Sequence, residues 1–166
     1  MNVDVRVDDL AFFEGEAIAW PVNAELRPIT SATRRLEVAG GPSLAQLLRI
    51  QEPLPVGSAV VTSAGALAAG LLVSAVVASE TEPVTRSGVR RAMTSAMQRA
   101  ADWQIAHLGV APFGLGAGNL DVEESAEIMV EVIGRHGSPF PARVTIVVET
   151  AAEEEAFGAR VAELGR

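Results

Sequence analysis

Hydrophobic and polar residues alternate at the start of the chain. Val3, Val5 and Val7 interleave with Asp4, Arg6 and Asp8, a period of two that predicts a half-exposed first strand. Ala17-Ile-Ala-Trp-Pro-Val22 is more uniformly apolar and predicts a central strand, although Pro21 cannot donate to a ladder. Thr30 to Ala39 is weakly helical, and Gly40-Gly41-Pro42 breaks it. Ser43 then caps a short helix through Leu44, Leu47 and Leu48. Ser58 to Thr62 and Leu71 to Ala78 predict a third and a fourth strand. From Ser87 to His107 the period becomes helical, with Val89, Met93, Ala96, Met97, Ala100 and Ile105 largely on one face. A short apolar run from His107 predicts a fifth strand. Helix is expected from about Glu123 to Arg135, strand over Val144 to Val148, and a closing acidic helix over Ala152 to Leu164 with Phe157, Val161 and Leu164 inward.

Strands separated by helices predict a three-layer α/β/α domain around a twisted, mostly parallel or mixed sheet of about six strands. The 166 residues suit one domain, 1–166. Cysteine is absent, which removes disulfides and thiolate chemistry and fits a cytoplasmic setting. The net charge of −8 argues against general binding to a nucleic-acid backbone. The longest apolar run, Ala66 to Ala78, is too short to span a bilayer, so no membrane association is expected.

The stretch from His107 to Asn119 carries the clearest chemistry. Gly114, Gly116 and Gly118 follow a strand and precede a helix, an order that turns free backbone N–H groups towards an anion. A phosphate-binding loop over Gly114, Leu115, Gly116, Ala117, Gly118 and Asn119 is the reading; a glycine-lined tight turn is the plain alternative. No Walker or Rossmann spacing is present. Asp9, Asn23 and this loop all follow strands, so topology brings them towards one rim of the sheet. Arg34 and Arg35 are adjacent and point apart on a helix; either both are solvated or one reaches a phosphate. His107 and His136 have no ligand spacing between them, so no metal is expected. No catalytic constellation and no cofactor motif stands out.

With these pieces in order, the chain resembles the macro domain family, the ADP-ribose-binding fold. Val7-Asp8-Asp9-Leu10 resembles the family's Gly-Asp-Ile segment. Ala17 to Ala24 resembles the strand ending in Val-Asn-Ala-Ala-Asn. Val56 to Gly65 is similar to the Gly-x-Ala-x-x-Thr-x-Gly strand, and Ala111 to Gly118 to the phosphate loop. The resemblance implies that Asp9 and Leu10 meet the base and that Ser31, Ala32 and Arg34 stand in the first loop; Asn23, at the end of its strand, either orients a ribose or caps a turn. It implies ADP-ribose, a related adenine nucleotide or an ADP-ribosylated protein as partner.

The chain also departs from the family. Its first loop, Pro28 to Arg35, holds no glycine. The second asparagine of the family motif falls near Leu26, and Ser74 stands where a histidine is common. A binding module for ADP-ribose or a related nucleotide is therefore expected first. A degenerate macro fold kept as a structural or interaction domain comes second, and an ADP-ribosyl hydrolase third.

Overall fold

The computed structural model describes residues 1–116 and 119–165. Six strands form one sheet: β1 (Asn2–Val7), β2 (Ala17–Asn23), β3 (Ala59–Ser63), β4 (Leu71–Ala78), β5 (His107–Val110) and β6 (Arg143–Val148). Their spatial order is β1-β6-β5-β2-β4-β3. All neighbours are parallel except β3, which runs antiparallel to β4 at one edge. The carboxyl ends of β1, β6, β5, β2 and β4 therefore share one rim.

Among the described residues, four helices cover the sheet: α1 (Ser31–Arg49), α2 (Arg86–Asp102), α3 (Val122–Arg135) and α4 (Ala151–Glu163). Each begins at a residue suited to cap it. Thr30, Thr85 and Thr150 accept from the backbone N–H of Thr33, Gly88 and Glu153, and Asp121 forms a reciprocal capping box with Glu124. The expected break at Gly40-Gly41-Pro42 is real. Gly41 adopts a φ of 75°, which favours glycine, and α1 continues beyond a kink.

One face of the sheet packs Ala17, Ala19, Val73, Ala75, Leu108, Val110, Val144 and Ile146 against α2, α3 and α4. The opposite face packs Ile18, Trp20, Val22, Leu72 and Val76 against α1 and a 3-10 turn at Leu10–Phe12. This second cover stops short of β1 and the start of β5, and polar residues line what remains.

Pro21 is accommodated inside β2 by the ladder itself. The pairing of β2 with β5 ends at Ala19, whose carbonyl accepts from Ala111 N–H. Neighbouring strand residues turn their backbone groups to alternate sides, so the donorless nitrogen of Pro21 faces the side where β5 has already left. Two expectations need correction. Helix α2 ends at Asp102, because the chain turns through Gln104 at φ 50° and Ile105 enters the core from that turn. Leu164 lies beyond α4 and is 39% exposed, whereas Phe157 is fully buried.

Candidate functional site

At the carboxyl rim two loops meet. The segment from Asn23 to Thr30 follows β2, and the glycine-bearing segment follows β5. Between them lies a cleft of ≈ 230 Å³, bordered by Thr30, Ser31, Ala32, Leu115 and Gly116, with Glu149 and Glu153 on its far side.

The first loop is folded from within. The Asn23 side-chain oxygen accepts from the backbone N–H of Glu25 and of Arg27, both at 3.0 Å. Leu26 turns the chain at φ 61° while burying its side chain. Thr30 then caps α1, and its hydroxyl lies 2.7 Å from that of Thr33. The Thr33 N–H is taken by Thr30, which leaves the N–H groups of Ser31 and Ala32 at the cleft as the orphan donors of a helix start.

The second loop is shaped by packing and by backbone conformation. Gly114 is buried at φ 90°, and a β-carbon there would lie 2.6 Å from Leu120 Cδ1. Gly116 adopts φ 85°, and a β-carbon there would lie 2.5 Å from Thr30 Cγ2. The two loops thus touch where their strands end.

The expected residues divide accordingly. Ser31, Ala32, Leu115 and Gly116 border the cleft. Gly114 is buried against Leu120 and Val89 and does not line it, and the Asn119 amide instead donates to Val84 O at 2.7 Å. Ala117 and Gly118 lie outside the described residues. Asn23 directs its side chain to its own loop. Leu10 is buried in the second core, and Asp9 caps the 3-10 turn by accepting from Ala11 N–H. Arg34 is exposed and makes no ion pair among the described residues, whereas Arg35 turns to the rim. Arg35 Nε lies 3.8 Å from Asp9 Oδ2, and Arg35 also pairs with Glu149.

The order strand, glycine loop, helix predicts that the helix after the loop presents its N-terminus to an anion. In the structure the first turn of α3 is occupied by its own Asp121 and Glu124, and the cleft is bordered instead by the start of α1 and, through Glu153, by the first turn of α4. Glu149 and Glu153 were missed as site residues, and Arg35 was named only as one of an adjacent arginine pair. A usable signal existed for Glu149: it directly follows a parallel strand, where ligands to such sheets collect. Burial pushes the Glu153 carboxyl up, with hydrogen bonding to Thr150 opposing it in part. The cleft therefore offers backbone N–H donors on one wall and two carboxylates on the other.

These features define a class. The macro domain family model matches residues 21–129, well over half of the chain, and the chain belongs to that family. Uncharacterized proteins of Mycobacterium tuberculosis (strain ATCC 25618 / H37Rv) and Mycobacterium bovis are 27% identical over 161 residues, covering 97% of this chain and 45% of theirs. The chain thus spans less than half the length of these relatives. Among solved structures, a mutant macrodomain of Oceanobacillus iheyensis with ADPR superposes at a TM-score of 0.86 and 16% identity, over 96% of this chain and 91% of that one. A Trypanosoma brucei macrodomain in complex with ADP gives 0.82 at 13% identity, over 96% and 69%. At these identities the likeness is one of fold. Among the described residues, no helix is long and apolar enough to cross a membrane.

Proposed function

We propose that this chain is a binding module for ADP-ribose or a related adenine nucleotide, with a phosphate seated between the first turn of α1 and Gly116. The observation that carries this reading is the meeting of a helix N-terminus and a glycine-bearing loop in one cleft at the carboxyl rim of a parallel sheet. ADPR and ADP accompany the structural neighbours named above, and that supports the same ligand class.

The cleft is small. Pockets that enclose a drug-sized ligand hold roughly 300–1,000 Å³, against ≈ 230 Å³ here. It accommodates part of a nucleotide, and the remainder lies over the rim. The helix dipole contributes only about 0.3–1 kcal/mol to an exposed anion, so direct N–H bonds from Ser31, Ala32 and the loop supply most of the affinity. Glu149 and Glu153 oppose a highly charged phosphate, which favours a diphosphate ester over free phosphate.

The decisive test uses Ala32→Asp, measured by calorimetry with ADP-ribose, ADP, AMP and inorganic phosphate. An acid in the first turn of a helix favours the folded helix while repelling an anion in the cleft. Binding of ADP-ribose by the parent and at least a tenfold loss in the variant, at unchanged or higher melting temperature, is the expected result. Undiminished binding by the variant would remove the phosphate from this cleft. The second reading, a fold kept as an interaction domain, is favoured by the Arg35 pairings with Asp9 and Glu149, which occupy the rim from within. It predicts no binding of any of these ligands by the parent.

A further inference from the structure

The sheet face left open by α1 carries a second recess, of ≈ 500 Å³, walled by Phe12, Phe13, Arg6 and Asp8 and reaching His107 and Arg143 at its far end. It is more than twice the volume of the loop cleft and falls within the size range of ligand pockets. Phe12 stands at its side with 72% of its surface exposed.

A chain of hydrogen bonds runs beneath the His107 end. Thr145 Oγ1 donates to Asp4 Oδ1 at 2.9 Å, and His107 Nε2 lies 2.8 Å from the same hydroxyl. A hydroxyl has one proton. Thr145 spends it on the Asp4 carboxylate, so Nε2 must be the donor to Thr145. In a neutral imidazole this leaves Nδ1 as an acceptor. Burial, and then the Arg143 charge, push the His107 pKa down, which favours the neutral ring.

Nδ1 has no hydrogen-bond partner among the described residues, yet it is not sealed away. The only buried side-chain nitrogen or oxygen without a partner among those residues is Arg99 Nε. The space before Nδ1 is kept by Gly15, where a β-carbon would lie 3.1 Å from Nδ1 and 2.3 Å from the Phe13 ring. The backbone of Gly15 is not in the left-handed region, so its bareness serves space and not conformation.

Arg143 is paired with His107 across the β5–β6 ladder, about 4.8 Å away by strand spacing. Its Nε and Nη2 reach Asp4 at 3.2 and 3.3 Å, which leaves Nη1 for another acceptor. A hydrogen-bond acceptor and a cationic donor therefore stand side by side. Asp8, Asp9 and Glu14 also border the recess, and they disfavour more than one negative charge on a ligand.

We propose that this recess is a second ligand site, which takes a small α-hydroxy carboxylate whose hydroxyl donates to His107 Nδ1 and whose carboxylate accepts from Arg143. The site is separate from the loop cleft and stands whether or not a nucleotide binds there.

The test is long-range proton–nitrogen NMR of the His107 ring at neutral pH, titrated with lactate, acetate and inorganic phosphate. The expected result is the Nε2–H form and a lactate-induced change at Nδ1, with acetate at least tenfold weaker because it lacks the donor. Thr145→Val removes the hydroxyl at similar shape and should weaken lactate and release the tautomer. Arg143→Gln, at an exposed residue, should weaken lactate and leave the tautomer in place. An Nδ1–H ring, no response to lactate, equal binding of acetate, or a preference for phosphate would each overturn the proposal.

Discussion

Thr30 Cγ2 occupies the space that any side chain at residue 116 would need: a β-carbon built on Gly116 lies 2.5 Å from it. The loops that border the cleft are thus held at a spacing set by one methyl group and one missing side chain. Gly116→Ala should cost about 1–2 kcal/mol for the left-handed backbone alone, with the clash in addition. Thr30→Ser keeps the helix cap and removes the methyl. Placed together, the two changes should recover the clash but not the backbone cost. Urea denaturation of the four proteins of that cycle measures the coupling. Simple additivity would show that the contact does not limit the loops.

Buried Trp20 donates its indole N–H to Ser74 Oγ at 2.8 Å, across the β2–β4 ladder. Ser74→Ala should leave that N–H unsatisfied and lower stability by about 1–3 kcal/mol. Denaturant unfolding followed by tryptophan fluorescence reads the loss. A shift well below that range would mean that another acceptor reaches the indole.

Asn23 holds the first loop through two backbone N–H groups. Replacement by Ala should cost about 1–3 kcal/mol, since each such bond contributes roughly 0.5–1.5. Asn23→Asp keeps the acceptor oxygen and should restore most of it. Melting temperatures of the two variants decide the matter, and equal losses would show that the oxygen is not what holds the turn.

Acidification should act first through His107. Its folded-state pKa lies below its ordinary value, so the unfolded chain binds the proton more readily. The contribution is fully present above about pH 6.5 and is lost as pH falls through the depressed folded value. The charged groups facing the ring are Asp4, Arg143 and Arg6. For Asp4, burial pushes the pKa up, but the bonds from Arg143 and Thr145 and the nearby arginine charges outweigh it, and its own loss comes below the usual carboxylate range. In a series of melting curves, His107→Gln should flatten the dependence just below pH 6.5 and leave the more acidic limb intact. An unchanged profile in that variant would assign the first limb to another group.

The raised Glu153 carboxyl has the opposite sign. Its folded state holds the proton more tightly than the unfolded chain, so its ionisation works against folding as pH rises through about 4.5 and beyond. Glu153→Gln should raise the melting temperature slightly at pH 7 and leave it nearly unchanged at pH 3. It should also tighten any phosphate ligand in the cleft, which calorimetry would show as a lower Kd.

Periodicity located the elements well because each face of the sheet carries its own core. Leu71 to Ala78 is a strand from end to end, since both of its faces are buried. Pro21 weakened a correct strand only because sequence does not reveal which side of β2 loses its neighbour early. The site was harder to read. Arg34 and Arg35 are equivalent in composition, and only the rotation of α1 sends Arg35 to Asp9 and Glu149. Glu153 read as one acid among many on a solvated helix, although its capped position at the start of α4 brings it to the cleft. The alternation of Asp4, Arg6 and Asp8 correctly indicated a half-exposed strand. That Asp4 would meet residues some 140 positions later required the topology.

Among the described residues, strand β1 pairs with β6 alone, from Asn2 opposite Arg143 to Val7 opposite Val148. Of the six strands, the first to leave the ribosome therefore has no sheet partner until the last has been synthesised. Until then its amide edge has no strand to pair with, and pairing so remote in sequence is slow to form. The interleaved Asp4, Arg6 and Asp8 give this waiting segment a charged face, which guards it against joining another nascent chain.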